Sequence, residues 1–255
     1  MLWYKSWLDT RWRFLIGFAL IACSAAAVVF SYPKVLQLLP AAATSQVGGE
    51  IGRRIREAAE LAREYRGFVW SEGFRQNLAE LATLFAVLLG TGGLVSQPSG
   101  SGMLFTLSLP VSRIELLGVR AATGLAELFA LAVTPAVVIP FLSPAIGEHY
   151  SVIAALAHAV CLFVAAGAFF SLAVLLSSIF TDMWRPLLIA LGIAMAIALV
   201  EQFAGELSRY GIYGVMSGEQ FFRTGRLPWT GLIVASMASM GMLYAASLNL
   251  ATRDF

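Results

Sequence analysis

The chain has 255 residues, 59% of them hydrophobic and 13% charged, and its 17 Lys+Arg against 15 Asp+Glu leave a formal net charge of +2. Soluble domains carry about a quarter charged residues and under half apolar ones. This composition, with a mean hydropathy of +0.79, therefore excludes an ordinary soluble enzyme, a disordered chain and a nucleic-acid-binding domain. Twelve of the charges fall between Glu50 and Glu80, so the rest is more apolar still, and the expected class is all-α: a polytopic membrane protein forming one transmembrane domain over residues 1–255. Cys23 and Cys161 lie in apolar runs without CxxC or Cys/His spacing, so they are read as packing residues, with no disulfide framework and no metal.

Residues 1–13, MLWYKSWLDTRWR, interleave Trp3 and Trp7 with Lys5, Arg11 and Arg13, the pattern of a short helix lying at a membrane interface. An apolar run at about 14–32 follows, longer than a signal-peptide core, and is read as a retained first span. Residues 33–77 form a helical insertion outside the bilayer. Within it, EIGRRIREAAELAREYR at 50–66 places Ile51, Ile55, Ala58, Ala62 and Tyr65 on one face, with opposite charges four residues apart, as in Glu50 and Arg54. The second span is expected at about 78–95.

Between spans two and three runs QPSGSGMLFTLSLPVSRIELLGVR, from Gln97 to Arg120. Pro98, Gly100 and Gly102 end span two. Met103, Leu104, Phe105, Leu107 and Leu109 then make a short apolar helix that Pro110 stops. Ser112, Arg113 and Glu115 follow in a capping-box spacing that starts the helix into span three. Read from the pattern, this is either a lever for a partner or a linker dipping into the membrane.

Spans three to six are expected at about 121–142, 152–180, 187–203 and 229–250. Gly205–Pro228, with Tyr210, Tyr213, Phe221 and Phe222, reads as a loop lying on or partly re-entering the membrane surface. Six spans place both termini on one side, but which side is undecided by charge. With the termini inside, the inner segments hold seven positive residues and the outer ones ten, most of these in the middle of the 33–77 insertion, where the positive-inside rule has little weight.

The run SLPVSR at Ser108–Arg113, after a glycine-rich turn and before the third of six spans, resembles the permease subunits of type-2 ABC exporters. The N-terminal helix, the insertion after span one and the tail ending ATRDF at Phe255 are similar as well. The resemblance implies that Met103–Leu109, with Pro110, Ser112, Arg113 and Glu115, is the coupling helix that meets a separate ATPase, in two copies. It also implies a second permease copy, as homodimer or related heterodimer, and both termini in the cytoplasm of a plasma (bacterial inner) membrane. Where the family carries an acidic residue and Gly-Thr, this chain has Gln97-Pro98-Ser99-Gly100-Ser101-Gly102, which leaves the details of docking open. No GxxxxGK[ST] occurs, so no cofactor is expected on this chain, and the implied ATP and Mg belong to the partner.

Glu127, His158 and Glu201 are the intramembrane polar residues, candidates for a translocation path or for paired packing. Small residues repeat every fourth position at Ala190, Ala194 and Ala198 and again at Gly231, Ala235 and Ser239, marking close helix packing within the chain or across a dimer. Two other classes compete with the exporter. An intramembrane protease finds only a displaced GxSG at Gly214–Gly218 and no HExxH. A passive channel or membrane scaffold would give the Met103–Leu109 helix no task.

Overall fold

The computed structural model describes residues 2–43, 59–91, 113–180, 182–203 and 211–251. All regular structure among them is helical. Helix α1 spans Leu2–Ala43, 42 residues without interruption, or about 63 Å at 1.5 Å per residue. The helix is thus continuous where a separate interfacial helix over 1–13 was expected, and it runs past residue 32. No glycine or proline stands between Leu2 and Phe14 to break the ladder, and the helix runs on through Pro33.

After a helical turn at 59–63 and a bend at Glu64, three segments follow without a gap: α2 (Tyr65–Phe68), a π-helical stretch (Val69–Asn77) and α3 (Leu78–Gly90). They run antiparallel to α1. The Tyr32 and Tyr65 rings meet at 4.9 Å at one end, and Arg13 reaches the Leu88 carbonyl at 2.8 Å at the other. Helix α4 (Arg113–Leu142) ends in a 3-10 turn at Ser143–Ile146, closed by Gly147 at φ 79. Helix α5 (Val152–Ile179) begins at Ser151, whose hydroxyl accepts from Ala154 N at 3.4 Å. Then come α6 (Trp184–Phe203), the short α7 (Ile212–Met216) and α8 (Glu219–Thr224), and α9 (Trp229–Ala251).

Helix α5 is the hub, packing against α3, α4, α6, α7 and α9. Its apolar residues are distributed all round, buried over most of its length but exposed at Ile153, Leu156 and Val160 near its start, and Ala155, Ala159, Cys161, Ala165, Ala166 and Ala173 let its neighbours approach closely. The outer helices differ. On α6 and α9, large apolar side chains such as Phe203 (86% exposed) and Met240 (72%) face away from the protein, far beyond the apolar surface a soluble monomer shows.

Among the described residues, five helices are long and apolar enough to cross a membrane: α1, α4, α5, α6 and α9. Helix α3 has 13 residues, about 20 Å, and by itself falls short of a hydrocarbon core of about 30 Å. The cysteines test this arrangement. Cys23 lies exposed on α1 and Cys161 is buried in α5. The thiolate that attacks maleimide does not form in hydrocarbon, so in intact membranes a charged maleimide should label neither thiol, whereas unfolding in SDS should let both react. Rapid labelling of Cys23 by the charged reagent would place that face of α1 in water.

Candidate functional site

A polar junction lies where α1, α3 and α4 meet, at the end of the bundle that carries residue 2. Thr91 leaves the helix with extended backbone (φ −83, ψ 148), so the carbonyls of the last turn lose their helical partners. Arg13 supplies the missing donors. Its Nη1 donates to the Leu88 carbonyl at 2.8 Å and to the Thr91 carbonyl, and its Nη2 lies 2.9 Å from Met183 Sδ, just before α6. A guanidinium at a helix C-terminus also meets the negative end of the helix dipole. Beside it, Glu127 of α4 is buried and its Oε1 accepts from the Thr10 hydroxyl, binding α4 to α1. Glu127 Oε2 and Ser6 Oγ are enclosed and have no hydrogen-bond partner among the described residues. Arg120 and Arg13 are the cations acting on this carboxylate.

Close approach of α3 to α5 completes the junction. A Cβ on Gly90 would lie 2.6 Å from the Phe170 carbonyl oxygen and 2.8 Å from Ala173 Cβ, so only glycine fits there. Gly90, Leu117, Arg120, Ser177 and Ser178 surround a small cavity at this point, and Asn249 Nδ2 ties the end of α9 to the Ser178 carbonyl at 2.8 Å.

The opposite end is closed by α7 and α8. His158 donates its Nδ1–H to the Ser217 carbonyl at 3.0 Å, and the indole N–H of Trp70 donates to the same oxygen at 3.1 Å. The imidazole stacks on Phe74 (4.5 Å) and meets Phe221 edge-on (5.4 Å), while its Nε2 is enclosed without a partner. The Ser217 hydroxyl turns instead to the Gly214 carbonyl at 3.1 Å. The displaced GxSG thus brings His158 to the serine's carbonyl and not to its hydroxyl. Glu201 accepts from Tyr213 N at 3.1 Å and so caps the start of α7. Burial raises the Tyr213 phenol above its ordinary pKa, against the Thr83 hydroxyl that lowers it and with the Glu201 and Glu80 carboxylates adding to the rise. It therefore stays a neutral donor to the Ala194 carbonyl at 3.3 Å.

The three intramembrane polar residues are accordingly not gathered into one site. Glu127 belongs to the junction near the N-terminus, and His158 and Glu201 hold the far cap. Both small-residue ladders point inward. Ala190, Ala194 and Ala235 are buried, Ala198, Gly231 and Ser239 half-buried, and Ser239 packs beside Gly167 of α5. Met103, Leu104, Phe105, Leu107, Leu109, Pro110 and Ser112 lie outside the described residues, as do Ile51, Ile55, Ala58 and Tyr210. Arg113 opens α4 and Glu115 stands in its first turn. Sequence reasoning missed Thr10, Thr91 and the clamp made by Arg13, which it took for an interfacial charge.

Comparisons with protein families, with curated proteins and with solved structures found no match.

Proposed function

We propose that this chain is the permease subunit of an ATP-driven exporter, spanning the membrane six times, with a separate ATPase docking on the segment between α3 and α4. The observation that carries the reading is the junction. The SLPVSR segment stands in the chain between Thr91, whose carbonyl Arg13 holds to α1, and Arg113, the first residue of α4, a helix bonded to α1 midway along its length through Glu127. A push on that segment meets three helices linked by polar contacts rather than a loose loop. In this reading Tyr65–Gly90 is the sixth crossing, because it extends beside α1 from Tyr32 to Arg13. Both termini lie in the cytoplasm of a plasma or bacterial inner membrane.

Two such permeases, identical or related, pair with two ATPase subunits, which hold the ATP and Mg. Closure of the ATPases around nucleotide moves the coupling helix, and the clamped end of α3 and the Glu127 bond midway along α4 pass that motion into the bundle, alternating access to a path for an apolar cargo. The test is purification of the tagged chain from its native membrane in mild detergent, with mass spectrometry of what accompanies it. A stoichiometric P-loop ATPase in the wild type, lost in Leu107→Arg, is the expected result. Recovery of the chain alone, also after crosslinking, would replace this reading with a channel or scaffold.

A further inference from the structure

A groove opens at the far end of the bundle, between the start of α5 and the turn joining α8 to α9. Its apolar wall holds Ile153 (79% exposed), Ala157, Leu227 and Trp229 (64% exposed), and its rim holds Arg226. Among the described residues, none that lines it is acidic. The one carboxylate of α8, Glu219, is engaged by Arg223 at 2.9 Å. The N-termini of α5 and α9 both lie at this groove, and Pro228, which precedes α9, has no side-chain oxygen to cap it. The guanidinium and the positive ends of two long helices thus give one side of the groove a positive potential.

The apolar side does not end at the groove. Along α5, Val160 follows Ile153 and Ala157 at helical spacing. Along α9, Ile233, Val234 and Met237 follow Trp229 and Thr230 in the same way, and all of these large side chains are exposed. A ligand seated here meets a cationic rim beside an apolar trough that continues down two membrane helices. Indole and guanidinium at such a boundary suit the junction of a headgroup with its acyl chains.

We infer that this groove binds one anionic phospholipid, its phosphate at Arg226 and one acyl chain along Ile153, Ala157 and Val160. The inference rests on the placement of α5 and α9 in the bilayer and not on an ATPase, so its failure would leave the exporter reading intact. The test is native mass spectrometry of the full chain in detergent, titrated separately with dioleoyl phosphatidylglycerol and dioleoyl phosphatidylcholine. Wild type should favour the glycerol lipid about five-fold, the effect of one basic residue near an anionic headgroup. Arg226→Ala should bring the two lipids to parity, Arg226→Lys should keep the preference, and Ala157→Trp should reduce binding of both. Arg226 is exposed, so its variants should remain monodisperse. Equal binding of the two lipids by wild type, a preference that survives Arg226→Ala, or full displacement of the lipid by inorganic phosphate would overturn the inference.

Discussion

Gly90→Ala should lower the melting temperature in detergent by about 5–10 °C, the counterpart of about 2–3 kcal/mol of overpacking in a chain of this size. The added carbon meets the backbone oxygen of Phe170, not the end of a flexible side chain, so α3 and α5 must move apart. That movement also pulls the Leu88 and Thr91 carbonyls away from Arg13, so the cost is shared by two contacts. Gly118 of α4 is the control. A Cβ there has no neighbour within 4 Å, and Gly118→Ala should be neutral or raise the melting temperature slightly through better helix propensity. Tryptophan fluorescence on heating reads both variants. Equal melting of Gly90→Ala and wild type would mean that the α3–α5 approach is looser than described.

Arg13→Met should cost about 3 kcal/mol, since hydrogen bonds from a charged donor contribute about 1.5–3 kcal/mol each and two carbonyls lose theirs, with some relief from solvent at this half-buried site. It also removes one of the two cations acting on Glu127. Glu127→Gln keeps the bond to Thr10 and removes the charge, so the double variant should cost less than the sum of the single ones by 0.5 kcal/mol or more, as groups in one network do. Arg13→Lys should rescue little, because a single ammonium cannot span two carbonyls as a planar fork does. If the ATPase partner is recovered, Arg13→Met should leave its basal hydrolysis intact and abolish the stimulation by cargo. Strict additivity of the two substitutions would show that Arg13 and Glu127 stand in the same region without forming one junction.

Much of the fold was legible because apolar runs of about 20 residues have few other uses. The starts of α5 at Val152 and of α9 at Trp229 fall where the pattern places them, with Ser151 and Pro228 as local start signals. The extent of α1 was not legible. A basic and aromatic flank suits an interfacial helix and a continued one equally well, and only the contact of Thr10 with Glu127 decides between them. The polar residues follow the same logic. A charge or imidazole inside an apolar run is conspicuous, so Glu127, His158 and Glu201 could be singled out, but their partners could not. Two of those partners are backbone groups, the Ser217 carbonyl and the Tyr213 amide, which leave no mark in a sequence. The third is a threonine 117 positions away.

The π-helical stretch Val69–Asn77 has a consequence for how this chain can change. A π turn holds more residues than an α turn, and loss of one residue commonly restores the α form. Each residue of an α-helix turns the chain by about 100°. A one-codon deletion between Phe74 and Asn77 that restored the α form would therefore turn Trp70 and Phe74 relative to one another, so that the Ser217 carbonyl and the His158 ring could not both keep their partners, while altering hardly anything in composition or hydropathy. The spacing between Trp70 and Leu78 acts as a ruler: its length, more than the identity of its exposed residues, decides whether α7 and α8 find their seat.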